Sequence, residues 1–127
     1  MSMNALLVDT SVWINFFKEN ESDETIRLTN YIKQDLPIYL CPTIIQEVLQ
    51  GITHDKQFEQ VKESLMSFNI LIDDGLEMAI SSAQLYRSLR KRGVTIRKSN
   101  DCLIACYALK YGLDVLHQDR DFDRIFG

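Results

Sequence analysis

Four acidic residues, Asp9, Glu47, Asp101 and Asp119, stand at positions where a fold can assemble chemistry. Asp9 ends the apolar run Ala5-Leu6-Leu7-Val8, and Asp119 comes just after the second such run, Leu113 to His117. Glu47 lies in the first turns after a third run, and Asp101 opens the most apolar helical stretch of the chain. In a parallel sheet, residues that leave a strand or open the next helix share the carboxyl edge, where α/β folds bind ligands. Carboxylates converging there repel one another and raise one another's pKa unless a cation neutralises them. No histidine or cysteine is placed to offer a softer ligand, so the matching cation is Mg²⁺ or Mn²⁺. Such an ion activates a bound water and offsets charge on a phosphate. Asp121, two residues after Asp119, is a further acid of the same kind.

Each acid also has a plainer role. Asp9 suits the N-cap of a helix starting near Ser11. Glu47 falls off the stripe formed by Ile45, Val48, Leu49 and Ile52, as an exposed glutamate would. Ser99, Asn100 and Asp101 are all capping residues, and one helix needs one cap. Asp73 and Asp74, beside Gly75, read as turn and helix-start residues.

The elements that would position these groups alternate throughout. The run ending at Val8 is apolar on both faces, as a strand buried in a parallel sheet must be. A helix carrying Trp13, Phe16 and Phe17 follows to about Lys18, then one from Ser22 to about Asp35 with Ile26, Leu28 and Ile32 inward, stopped by Pro37. Ile38 to Cys41 is the second strand, and Pro42 opens a helix in the position proline favours. An amphipathic helix covers 54–68, and Asn69 to Ile72 forms a third strand. A long helix runs from about Leu76 to Arg92 with Leu76, Ala79, Ala83 and Tyr86 inward, closed by Gly93. The apolar helix 101–109 ends at Gly112, and 113–117 is the fourth strand. This order predicts one α/β domain over 1–127, with a mostly parallel sheet of four to five strands flanked by helices.

Composition fits that reading. One domain of 127 residues, 46% hydrophobic and 25% charged, buries a real core. No apolar segment approaches the roughly 18–20 residues that span a bilayer, and the start Met1-Ser2-Met3-Asn4 lacks the pattern of a signal peptide, so a cytoplasmic protein with no membrane role is expected. Cys41, Cys102 and Cys106 are an odd set without a C-x-x-C pair and are expected as small buried hydrophobes. His117 is expected as a packed, satisfied histidine. The net charge of −4 excludes a generic nucleic-acid coat protein. Its distribution is uneven, because Arg87, Arg90, Lys91, Arg92, Arg97 and Lys98 put six of the fourteen basic residues in one twelve-residue window without an acid. Such a run is a solvated helix end or a phosphate-gripping patch.

The motifs Leu7-Val8-Asp9-Thr10-Ser11, Glu47 within Pro42 to Gly51, Asn100-Asp101-Cys102-Leu103-Ile104-Ala105 and Asp119-Arg120-Asp121-Phe122, in this order and spacing, resemble a PIN domain, and more closely a VapC-type toxin of bacterial toxin–antitoxin modules. The resemblance covers essentially the whole chain. It implies a Mg²⁺- or Mn²⁺-dependent endoribonuclease cutting structured RNA such as tRNA or rRNA. Asp9, Glu47, Asp101 and Asp119 become the catalytic and metal-binding acids, with Asp121 at a less constant acidic position. Thr10, Ser11 and Asn100 match supporting polar positions. Arg97 and Lys98, just ahead of Asn100-Asp101 and in one run with Arg90 and Arg92, become RNA contacts. A homodimer inhibited by a small VapB-type antitoxin is implied as well.

Rival chemistries fit less well. A haloacid-dehalogenase phosphatase needs a second Asp where Ser11 stands, and a phosphoacceptor receiver needs a Lys where Asp119 stands. A metal-dependent DNA or flap-type nuclease, and a non-catalytic module docking a basic partner in its acidic cleft, remain as alternatives.

Overall fold

The computed structural model describes residues 4–127. Four strands, β1 (Leu6–Val8), β2 (Ile38–Leu40), β3 (Asn69–Ile70) and β4 (Asp114–Leu116), form one sheet in the order β3-β2-β1-β4, with every pairing parallel. Seven helices surround it: α1 (Thr10–Phe17), α2 (Asp23–Lys33), α3 (Pro42–Gln50), α4 (Asp55–Met66), α5 (Gly75–Lys91), α6 (Ser99–Tyr111) and α7 (Arg120–Phe126). The expected α/β domain is present, with four strands among the described residues. The run Met1-Ser2-Met3, used above to argue against a signal peptide, lies outside them.

β1 is the central pivot. Leu6, Leu7 and Val8 are all inaccessible to solvent, because β2 and β4 flank the strand and helices cover both faces. The chain turns at once into α1, which Asp9 caps. The Trp13 indole N–H donates back to the Val8 carbonyl at 3.0 Å, locking the angle between strand and helix. Trp13 also stacks on Phe17 and meets Phe16 edge-on, with no exposed surface of its own. Truncating such a side chain to Ala costs about 3–5 kcal/mol.

Three helices turn differently from expectation. On α2 the buried face is Thr25, Leu28 and Tyr31, whereas Ile26 and Ile32 are exposed. Tyr31 tolerates burial because its hydroxyl donates to the Asn4 carbonyl at 2.6 Å. On α3 the fully buried pair is Ile44 and Val48, and Ile45, Leu49 and Ile52 are only partly covered. On α5 Met78 and Leu89 are buried, while Leu76 points to solvent. β3 ends at Ile70, so Ile72 is exposed. The chain after Asp119, to which no element was assigned above, forms α7. The three cysteines are buried and unpaired, as expected.

α6 is the buried helix of the fold, with Cys102 and the run Ile104 to Ala108 packed away from solvent. It stops at Gly112, whose φ of +65° is a left-handed conformation that glycine adopts without steric cost.

Candidate metal centre

The β1–β4 pairing sets the exits of two parallel strands side by side, and each exit carries an acid. Asp9 caps α1 and Asp119 caps α7, so the plainer capping role and the site position coincide in both residues. Asp9 accepts from the Ser11 hydroxyl at 2.8 Å and from the Ser11 backbone N–H at 3.3 Å. The same Ser11 hydroxyl accepts from the Gln118 backbone N–H at 3.3 Å, stitching the β1 exit to the β4 exit.

Asp101 arrives from the first turn of α6, which Lys98 caps without a side-chain hydrogen bond. Asp101 is therefore no cap, although it is buried. Carboxylate oxygens of Asp101, Asp119 and Asp121 lie within 4.8 Å of one another. Asp121, at the less constant acidic position of the resemblance, belongs to this group and is buried. One of its oxygens accepts from the Lys98 backbone N–H at 3.1 Å. Its other oxygen, Oδ1, and Oδ2 of Asp101 are buried without a hydrogen-bond partner.

Glu47 stands further out. It is half-buried on α3 and accepts from the Thr10 hydroxyl at 2.8 Å. With Ile44 and Val48 facing inward, Glu47 lies one turn from Ile44 along the cleft side of the helix. The offset from the apolar stripe is thus compatible with a place beside the site.

The electrostatics are those of a site with too few cations. Burial, followed by the charges of Asp9, Asp119 and Asp121, raises the Asp101 carboxyl to about 8. Burial also raises Asp9 above its ordinary value, against the opposing bonds from Ser11. For Asp119 burial pushes upward as well, but the Asp121 N–H and the Lys98 ammonium outweigh it and hold the carboxyl below its ordinary value. Lys98 Nζ lies 3.0 Å from Asp119 Oδ2, and that bond holds its ammonium charged above the usual lysine value. Arg97 approaches both Asp119, at 3.6 Å, and Asp121, at 3.9 Å. Of the four basic residues singled out in the sequence, Arg97 and Lys98 thus reach the acids. Arg90 lies against the Tyr86 ring, and Arg92 caps the end of α5. His117 lies against Phe122, with Nε2 3.5 Å from Asp123, and its Nδ1 is buried and unpartnered rather than satisfied.

An all-oxygen donor set, two orphaned buried carboxylate oxygens and a carboxyl raised by burial and then by its like-charged neighbours together fit a hard divalent cation. The residues suit Mg²⁺ or Mn²⁺ far better than zinc, which favours nitrogen and sulfur.

A family model described as "PIN domain" matches residues 6–126. The "Ribonuclease VapC11" of Mycobacterium tuberculosis is 33% identical over 124 residues, which span 94% of this chain and 90% of the relative. Among solved structures, the DNA-bound VapBC of Salmonella typhimurium superposes with a TM-score of 0.73 at 24% identity, over 97% of this chain and 93% of the other. VapBC-1 of nontypeable Haemophilus influenzae gives 0.72 at 21% identity, over 96% and 92%. These two likenesses speak for the fold.

Proposed function

Because the chain belongs to the PIN-domain family, in its VapC branch, we propose that it is the toxin of a toxin–antitoxin pair, a Mg²⁺- or Mn²⁺-dependent endoribonuclease acting in the cytoplasm on structured RNA such as tRNA or rRNA. The observation that carries the reading is the cluster of Asp101, Asp119 and Asp121 with its two orphaned oxygens, next to Asp9 at the carboxyl edge of the sheet. No helix among the described residues is long and apolar enough to cross a membrane.

Asp101, Asp119 and Asp121 would hold the cation, and Asp9 and Glu47 would complete the acidic wall. When bound there, a divalent ion lowers the pKa of a water and offsets charge gathering on the phosphate. Thr10 fixes the carboxylate of Glu47, and Ser11 fixes that of Asp9 while tying down the loop at Gln118. Asn100, exposed beside Asp101, is a supporting polar group at the edge of the site. Arg97 and Lys98 are largely exposed at the mouth of the acid group, where a phosphate backbone meets them first. They offset the repulsion that the acids alone would exert on a polyanion.

A VapB-type antitoxin is the proposed inhibitory partner, supported by the VapBC complexes among the structural neighbours. A homodimer is supported by the apolar side chains Ile72, Leu76, Ile80 and Leu109, which stand exposed. The test is cleavage of total bacterial RNA by the antitoxin-free chain with Mg²⁺ or Mn²⁺ supplied, against EDTA and against Asp9→Asn. Discrete fragments that vanish in both controls support the reading, and their mapped ends name the target. Intact RNA after incubation with metal-loaded protein would sink it.

A further inference from the structure

A groove runs between α5 and α6 beside the acids, and its walls have the chemistry of a nucleobase rather than of a phosphate. It encloses about 390 Å³, room for one base with its sugar. Ala83 and Leu103 are among the apolar residues lining it, Tyr86 and Arg87 line its α5 side, and Ser99 and Asn100 line its α6 side. Tyr86 is half-buried, braced by packing against the cluster of Leu89, Ile96 and Cys102. The Arg90 guanidinium lies 5.7 Å from the centre of its ring. An aromatic ring and an arginine plane are the surfaces on which unpaired bases stack. Asn100, whose side-chain amide both donates and accepts, lies on the opposite wall. It is the immediate neighbour of Asp101, so whatever the groove holds lies close to the group that would hold the cation.

Charge indicates what kind of molecule enters. Arg87 and Ser99 on its walls bracket the window from Arg87 to Lys98, which carries six cations and no acid on a chain whose net charge is −4. A polyanion is drawn to that side and a basic partner is not. The first N–H groups of α6, those of Ser99 and Asn100, have no carbonyl partner inside the helix and add to the same preference.

We propose that this groove is a subsite for one unpaired nucleobase next to the cut phosphodiester, with Tyr86 as the stacking surface and Asn100 as the residue that reads the base edge. The proposal rests on the ribonuclease reading and deepens it. It favours a single-stranded or looped stretch of RNA as substrate, because an unpaired base enters without the few kcal/mol that unpairing and unstacking cost.

The experiment uses full-length protein carrying Asp9→Asn, to halt cleavage, and short single-stranded RNAs that span the mapped cut. Each RNA carries one 2-aminopurine, placed at successive positions. At one position beside the cut, fluorescence is expected to fall on binding. The fall disappears with Tyr86→Leu added and persists with Tyr86→Phe, and Tyr86→Leu weakens RNA binding roughly 5- to 150-fold, the range of one stacked base. Circular dichroism and a thermal melt check that Tyr86→Leu stays folded. Quenching that survives in folded Tyr86→Leu overturns the subsite. So does an RNA that is bound and cut by wild type with no position quenched, and that outcome leaves the ribonuclease reading standing. A groove buried between two copies of the chain, with Tyr86→Leu turning a dimer into a monomer, also overturns it. Absence of cleavage by wild type defeats the underlying reading instead.

Discussion

Replacing Asp101 by Asn should make the protein more stable while it loses its metal. Asp101 is buried, one of its oxygens has no partner, and its carboxyl is raised from 3.8 to about 8. Between about pH 4 and pH 8 the folded chain keeps this proton and the unfolded chain releases it. The native state therefore binds more protons, and without metal its stability falls as pH rises through that window. Below pH 4 both states are protonated and nothing is lost. A shift of about four units, at about 1.36 kcal/mol each, sets a ceiling of about 5–6 kcal/mol at pH 8. Side-chain relaxation and water entry relieve much of it, and we take about 1–4 kcal/mol, the range by which replacing buried ion pairs with apolar residues stabilises proteins, as the guide. For a domain of this size that is a rise in Tm of roughly 3–15 °C. The assay is thermal unfolding in EDTA at pH 5, 6.5 and 8, repeated with Mn²⁺. The gap between Asp101→Asn and wild type should widen with pH, and Mn²⁺ should close it by stabilising wild type alone. A variant less stable than wild type at pH 8 in EDTA, or a gap indifferent to pH, would refute the reasoning.

Thr10→Val removes the hydroxyl that fixes Glu47 and should cost about 0.5–1.5 kcal/mol of stability. By analogy with groups that orient metal ligands it should weaken Mn²⁺ binding about 10-fold, read by titration calorimetry, and unchanged affinity would place Glu47 outside the metal's reach. Lys98→Ala should reduce the salt dependence of RNA binding by about one unit of log–log slope, measured by fluorescence anisotropy across ionic strengths. The same slope in both proteins would show Lys98 engaged by Asp119 alone. Gly112→Ala forces a side chain into a left-handed backbone with φ of +65° and should cost roughly 1–2 kcal/mol in a urea melt, with RNA cleavage unaffected.

The strand exits were legible in the sequence because a strand buried on both faces leaves an uninterrupted apolar run, and an acid at its end stands out. That is why Asp9 and Asp119 could be singled out from residue type alone. Asp121 was harder to weigh, because it appears as one of three acids in a polar stretch. Its burial follows from α7 folding back on α6, a short helix whose period is hidden among charges. The phase of α3 was misread because Ile44 and Ile45 adjoin, and a stripe can be drawn through either. Only the sheet decides which one is inside. On α2 the burial of Thr25 and Tyr31 escaped a reading based on apolar letters, since both bury carbon while a partner satisfies the hydroxyl. The Thr10–Glu47 bond spans 37 residues and exists only because β1 and β2 are neighbours. No local pattern could have shown it.

The pairing of β1 with β4 has a bearing on how the chain comes into being. Asp9 leaves β1, whereas its acidic companions stand far along the chain, Asp119 capping α7 and Asp121 in its first turn. Until β4 has docked against β1, Asp9 has no acid cluster beside it and Lys98 has no Asp119 to hold. The acid set is therefore complete only once segments far apart in the chain have paired.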